Sequence, residues 1–142
     1  MHRLAPMPRP AMHLKAVRRP SPDYTSREYW NGLIKMSLSK FFILCVLNER
    51  GMHGYEITRA VERTTEGCCS PSEGALYPVL HEFESGGYVT ARTENVNGRE
   101  RKIYELTAKG RQAFAVASSA WLDVAGCLGG SCKPAKGKRQ SC

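Results

Sequence analysis

"SPSEGALYPVLHEFESGGYVTARTENVNGRERKIYEL", from Ser70 to Leu106, is the stretch whose reading decides the fold. It opens with helix-start signals: Ser70 suits an N-cap, Pro71 the first helical position, and Glu73 the acid of a capping box. A helix is expected from Ser70 to about Ser85, ended by Gly86-Gly87. Inside it, Pro78 removes a backbone donor and crowds the carbonyl of Gly74, at a cost of ~3 kcal/mol or more, so a kink is expected. "GYVTAR" and "RKIYEL" then alternate with period two, and "TENVNGRE" between them carries the tight-turn signal Asn97-Gly98. The stretch reads as a helix followed by a β-hairpin with a long polar loop.

Two helices are expected upstream. "YWNGLIKMSLSKFFILCVLNER", Tyr29 to Arg50, places Ile34, Leu38, Phe41, Phe42 and Cys45 at helical spacing, with Gly51 as its stop. Its run 41–47 is apolar all round, which places it at the centre of the core. "GYEITRAVER" makes a shorter amphipathic helix, with Ile57, Ala60 and Val61 inward and Glu56, Arg59, Glu62 and Arg63 outward. Downstream, Thr107 caps a final helix through about Ala125, with Phe114, Ala117, Trp121 and Val124 or Ala125 along one stripe. The order, three helices and then a hairpin, is that of a winged helix-turn-helix. The expected class is mainly α with a small β-hairpin. A flexible basic arm covers 1–28, the winged helix 29–107, a dimerisation helix 108–126, and a flexible Cys/Lys-containing tail 127–142.

The chain of 142 residues suits one domain with a modest core. Its net charge of +8 is unevenly placed. Residues 1–22 hold Arg3, Arg9, Lys15, Arg18 and Arg19 and no acid, and the tail adds Lys133, Lys136, Lys138 and Arg139, leaving 23–126 at −1. Total charge therefore says little about nucleic acid, and local clusters must carry that argument. The scattered prolines of the arm do not fit a secretory signal. No apolar run reaches membrane-spanning length, and no membrane partner is expected. Six cysteines without an export signal or any CxxC point to reduced thiols in the cytoplasm rather than disulfides, a zinc ribbon or thioredoxin-like chemistry. No nucleophile–base pair, phosphate loop or metal-hydrolase motif is present, so no enzyme and no required cofactor are expected.

"LCVLNERGMHGYEITRAVE", "SEGALYPVLHEFESGGYV" and "GRERKIYELTAKGRQAF" together resemble the PadR family of bacterial and archaeal transcriptional regulators, over roughly residues 29–126. Each segment alone is a weak signal; the three at this spacing are specific. The resemblance implies a homodimeric repressor that binds double-stranded operator DNA and dimerises through its C-terminal helix. The residues that match the family's recognition helix are Ser70, Ser72, Glu73, Ala75, Tyr77, Pro78 and His81. Ala75 stands where family members often carry threonine. The arm, the tail and the cysteines lie outside the pattern.

Each candidate site has a plainer alternative. The third helix would enter the major groove by its N-terminal turn, yet Tyr77 could simply be core. In the wing, Arg92, Arg99, Arg101 and Lys102, with Asn95 and Asn97 near the tip, suit phosphate or minor-groove contact, or an ordinary solvated hairpin. Phe114, Ala117, Trp121 and Val124 form a seam for a two-fold partner, or pack on their own core. Cys45 reads as a small core hydrophobe and His53 as a helix-start residue. Cys68, Cys69 and a tail thiol, Cys127 or Cys132, could form a thiolate site for As(III), Sb(III) or Hg(II) that releases the protein from DNA. Oxidation is a second use of these thiols, and cysteines without a role a third. Two other functions stay open: a repressor answering a phenolic or drug-like organic effector, and a thiol metal-binding or redox protein whose winged helix mediates protein contacts.

Overall fold

A computed structural model describes residues 3–8 and 19–131. The helix α1 (Arg27–Glu49) leads through a two-residue strand β1 (Met52–His53) into α2 (Gly54–Thr64). After α3 (Glu73–Ser85) come β2 (Val89–Val96), β3 (Arg99–Leu106) and the long α4 (Ala108–Ser131). The sheet order is β1-β3-β2, antiparallel throughout.

The core is where the apolar faces of all these elements meet. Ile43, Leu44, Val46 and Leu47 of α1 pack with Ile57 and Val61 of α2, Leu76, Leu80 and Phe83 of α3, and Val89, Tyr104 and Leu106 of the sheet. Burying side chains of this size contributes roughly 1.5–3 kcal/mol each. Cys45, beside them, is only half-buried; burial, and then Glu49, pushes its thiol up, which keeps it protonated and inert.

Several expectations change in detail. The wing is three-stranded, not a two-stranded hairpin: Met52 and His53 pair with Tyr104 and Ile103. Two residues are too few to show an alternating pattern. Nor is the wing loop long. Val96 pairs with Arg99, and the turn is only Asn97 and Gly98, at φ 51° and 78°. Both central residues take the left-handed region, as a two-residue hairpin turn requires.

Gly51 does not end α1 through a left-handed cap. The residue after the helix, Arg50, is fully extended because the chain enters β1 at once. Gly51 serves close approach instead, since a Cβ there would lie 2.6 Å from Glu105 Cγ.

The helix α3 begins two residues later than its cap signals suggest. Ser72, not Ser70, is the N-cap, and its side chain caps nothing. Cys69 and Pro71 are both buried just ahead, holding the chain extended up to Ser72. Glu73 thereby becomes the first helical residue and not the third, so no capping box forms. The helix continues through Pro78.

At its far end α4 runs to Ser131, past the expected stop near Ala125, so Cys127 lies on the helix rather than in a tail. Gly126, Gly129 and Gly130 weaken a helix without forbidding it. As helices, α1 and residues Ala108–Gly130 are each long and apolar enough to cross a membrane by length and composition, which the sequence reading did not anticipate. The α1 window is 22% buried: Ile43, Leu44, Val46 and Leu47 lie in the core, while Leu33, Ile34 and Met36 are exposed. The apolar window of α4 has no fully buried residue, and Val116, Leu122, Val124 and Leu128 are exposed.

Candidate nucleic-acid interface

The helix α3 exposes one face along its length. Ser72, Glu73, Ala75, Tyr77, Pro78 and His81 are all exposed, while Leu76, Leu80 and Phe83 point into the core. Tyr77, 51% exposed, is therefore not simply a core residue. Ser70 is half-buried and lies ahead of the helix, apart from this face.

Tyr77 is aimed by a glycine. A Cβ on Gly54, the first residue of α2, would sit 2.7 Å from the Tyr77 hydroxyl, so the phenol lies directly over the start of α2. Behind it, burial pushes the Tyr104 phenol up from its ordinary value, with Tyr77 and Glu84 adding to the effect. Both tyrosines line a notch of about 420 Å³ with His53, Gly54, Tyr55, Glu100, Arg101 and Lys102. The notch joins the helix-turn-helix to the wing. It exists because β1 covers β3 only at Ile103 and Tyr104, leaving Arg99–Lys102 with a partner strand on one side only.

The wing cations fall into two groups. Arg92 is committed: its Nε donates to Glu105 Oε1 at 3.2 Å and Nη1 lies 3.5 Å from Glu94 Oε1. The Glu105 hydrogen bond, chiefly, holds this guanidinium in its charged form. Arg99, Arg101 and Lys102 are exposed and, among the described residues, none has a carboxylate within ion-pairing distance. Free cations beside an exposed helix face are what a phosphate backbone needs. Asn97 occupies the turn between them.

A third basic group was not singled out from the sequence as a site. Arg50, just after α1, and Arg59 and Arg63 of α2 surround Tyr55 and Glu56, with the Arg59 guanidinium 5.6 Å from the Tyr55 ring centre; Arg50 pairs with Glu56 at 2.9 Å and Arg59 with Glu62 at 3.6 Å. The signal for two of the three lies in "GYEITRAVER", which turns Arg59 and Arg63 outward.

The proposed dimer seam is redistributed. Phe114 stacks on Phe41 of its own α1, with ring centres 5.7 Å apart, so it holds α4 to the domain. Ala117 and Trp121 are half-buried, and Val124 is exposed. The apolar groups left open are Val116, Leu122, Val124 and Leu128 on α4, and Leu33, Ile34 and Met36 on α1.

Among the described residues the thiolate site is not assembled: no three His, Cys, Asp or Glu side chains are grouped to hold a metal. Cys69 is 2% exposed and its N–H donates to Thr65 Oγ1 at 3.2 Å, fixing it as an apolar plug between α2 and α3. Cys68 is half-exposed, Cys127 is exposed on α4, and Cys132 lies outside the described residues. The adjacent pair thus divides into one core residue and one surface residue. Cys69→Ser should cost about 1–3 kcal/mol by burying a hydroxyl among apolar groups, whereas Cys68→Ser should stay within about 0.5 kcal/mol. Urea unfolding of both variants checks this, and equal effects would remove the distinction.

Comparison with known proteins agrees with this architecture. The model of the "Transcriptional regulator PadR-like family" matches residues 43–116. The transcriptional regulator YqjI of Escherichia coli strain K12 is 36% identical over 73 residues, covering 51% of this chain and 34% of that protein. The transcriptional regulator Rv3488 of Mycobacterium tuberculosis is 33% identical over 66 residues, or 46% of this chain and 49% of that one. The chain therefore matches half or less of the length of these relatives. A PadR-like transcriptional regulator from Bacillus cereus has the same fold, at TM-score 0.64 and 20% identity, over 72% of this chain and 99% of that one.

Proposed function

This chain belongs to the PadR-like family of transcriptional regulators, and from that premise we propose that it is a homodimeric repressor of the winged helix-turn-helix type, acting on double-stranded operator DNA in the cytoplasm. It belongs with transcription regulators and not with enzymes. The observation that carries the reading is that the exposed face of α3 lies beside Arg99, Arg101 and Lys102, none of which has a carboxylate within ion-pairing distance among the described residues.

In this reading α3 enters the major groove. Ser72, Glu73 and His81 face base edges, Tyr77 lies against the sugar-phosphate backbone, and Ala75 offers at most a methyl contact. The wing follows the adjacent backbone with Asn97 at its tip. Arg59 and Arg63 of α2, with Arg50 just after α1, contact the phosphates that the first helix of the motif crosses. A two-fold partner covers the open apolar residues of α1 and α4 and matches a palindromic site.

The test is a salt titration of binding to an operator selected from random duplexes. Wild-type affinity should fall steeply with salt. An Arg99→Ala, Lys102→Ala double variant should reduce that slope by about two and weaken binding to every sequence alike. Unchanged affinity and slope would remove the wing from the interface. Binding with no sequence preference would reject the repressor reading.

A further inference from the structure

We propose that His53 keeps Arg101 apart from Glu56, so that Arg101 and Lys102 can seat one backbone phosphate in the notch between α2 and β3. The proposal rests on the DNA-binding reading and assigns a role to a residue that the sequence marks only as a helix start.

The argument is one of hydrogen-bond capacity. His53 is the N-cap of α2, and its Nδ1 accepts the backbone N–H of Glu56 at 3.3 Å. A neutral imidazole that accepts at Nδ1 carries its proton on Nε2. That Nε2 lies 3.0 Å from Glu56 Oε1, where the N–H donates, and the other Glu56 oxygen takes Arg50 Nη1 at 2.9 Å. Arg101 Nη1 lies 3.3 Å from the same Nε2. With its proton in place Nε2 cannot accept from Arg101, because both groups are donors.

The imidazole therefore touches both the Arg101 guanidinium and the Glu56 carboxylate, and satisfies only the carboxylate. Arg101 has no carboxylate within ion-pairing distance among the described residues, and it lines the notch of about 420 Å³ with Lys102, Tyr55 and Tyr77, two cations against the one carboxylate there, Glu100. A phosphodiester fits these needs. It is an anion with acceptor oxygens only, suited to the guanidinium fork and to the tyrosine hydroxyls. Without the ring, the long Arg101 side chain can close onto Glu56, and that internal ion pair competes with the phosphate.

The test separates this role from plain capping. Asn in place of His53 retains an oxygen that can cap the Glu56 N–H but is too short to stand between Arg101 and Glu56. His53→Asn should weaken operator binding roughly tenfold and lower the salt slope by about one. The double variant His53→Asn, Glu56→Gln should bind as Glu56→Gln alone, because the competing charge is gone. Adding His53→Asn to Arg101→Ala should have no further effect. Melting curves of each variant confirm that binding is compared between folded proteins. A His53→Asn loss that Glu56→Gln does not reverse, or one that persists without Arg101, overturns the proposal and leaves DNA binding standing. Wild-type protein without salt-dependent DNA binding would instead overturn the reading beneath it.

Discussion

A Leu122→Glu, Leu128→Glu variant is expected to sediment as a monomer at micromolar concentration and to bind its operator about a hundredfold or more weaker than wild type. Both leucines are largely exposed on α4, together with Val116 and Val124. A partner helix covering them gains apolar burial, whereas two carboxylates there leave uncompensated charges at the centre of the contact. The fold should survive, because Phe114 on Phe41 holds α4 to its own domain and neither leucine takes part in the core. The DNA effect is larger than any single contact could give. Two linked recognition helices gain roughly 10²–10⁴ in affinity from binding together, and separated subunits forfeit that gain. Circular dichroism, sedimentation and binding anisotropy on one preparation test it. A folded, dimeric double variant would move the seam to Leu33, Ile34 and Met36 of α1.

The largest stability effect is expected from Gly110→Ala. A Cβ at this position would lie 2.1 Å from the Tyr88 carbonyl oxygen and 3.0 Å from Leu106 Cδ2. The first of these is backbone and cannot swing aside. It is also fixed, since it accepts the Thr107 N–H at 3.1 Å, while Thr107 Oγ1 donates to Gly87 O at 2.6 Å and accepts from Gly110 N at 3.1 Å. The start of α4 is thus locked against the start of β2. Relieving the overlap should cost about 3 kcal/mol, a fall in melting temperature of roughly 10–20 °C for a domain of this size. The same substitution at Gly126, also within α4 but with nothing within 4 Å of a Cβ, should instead stabilise by about 0.5–1 kcal/mol through helix propensity. Thermal melts that fail to show opposite signs would discard this account of the Thr107-to-Gly110 corner.

The sequence by itself determined what depends on near neighbours along the chain. Hydrophobic periodicity marked α1, α2 and α4, and Asn97-Gly98 marked the hairpin turn, because left-handed backbone in a two-residue turn demands such residues. The three motif segments at their spacing were enough to name the family, and the cations of the wing could be listed from the sequence, though not which of them are paired. Tertiary structure decided whatever turns on contacts between distant segments. It moved the α3 cap from Ser70 to Ser72, because Cys69 and Pro71 are drawn into a core that local signals do not include. It bound Arg92 to Glu105 while leaving Arg101 without a carboxylate, a difference invisible in two arginines of one hairpin. Gly54 and Gly110 read only as motif letters until a tyrosine hydroxyl and a carbonyl oxygen were found to occupy the space a methyl would take. Phe114 likewise passed from a dimer seam to an internal ring stack once α1 lay beside α4. Periodicity tells which face of an element is apolar, but only packing tells what that face meets.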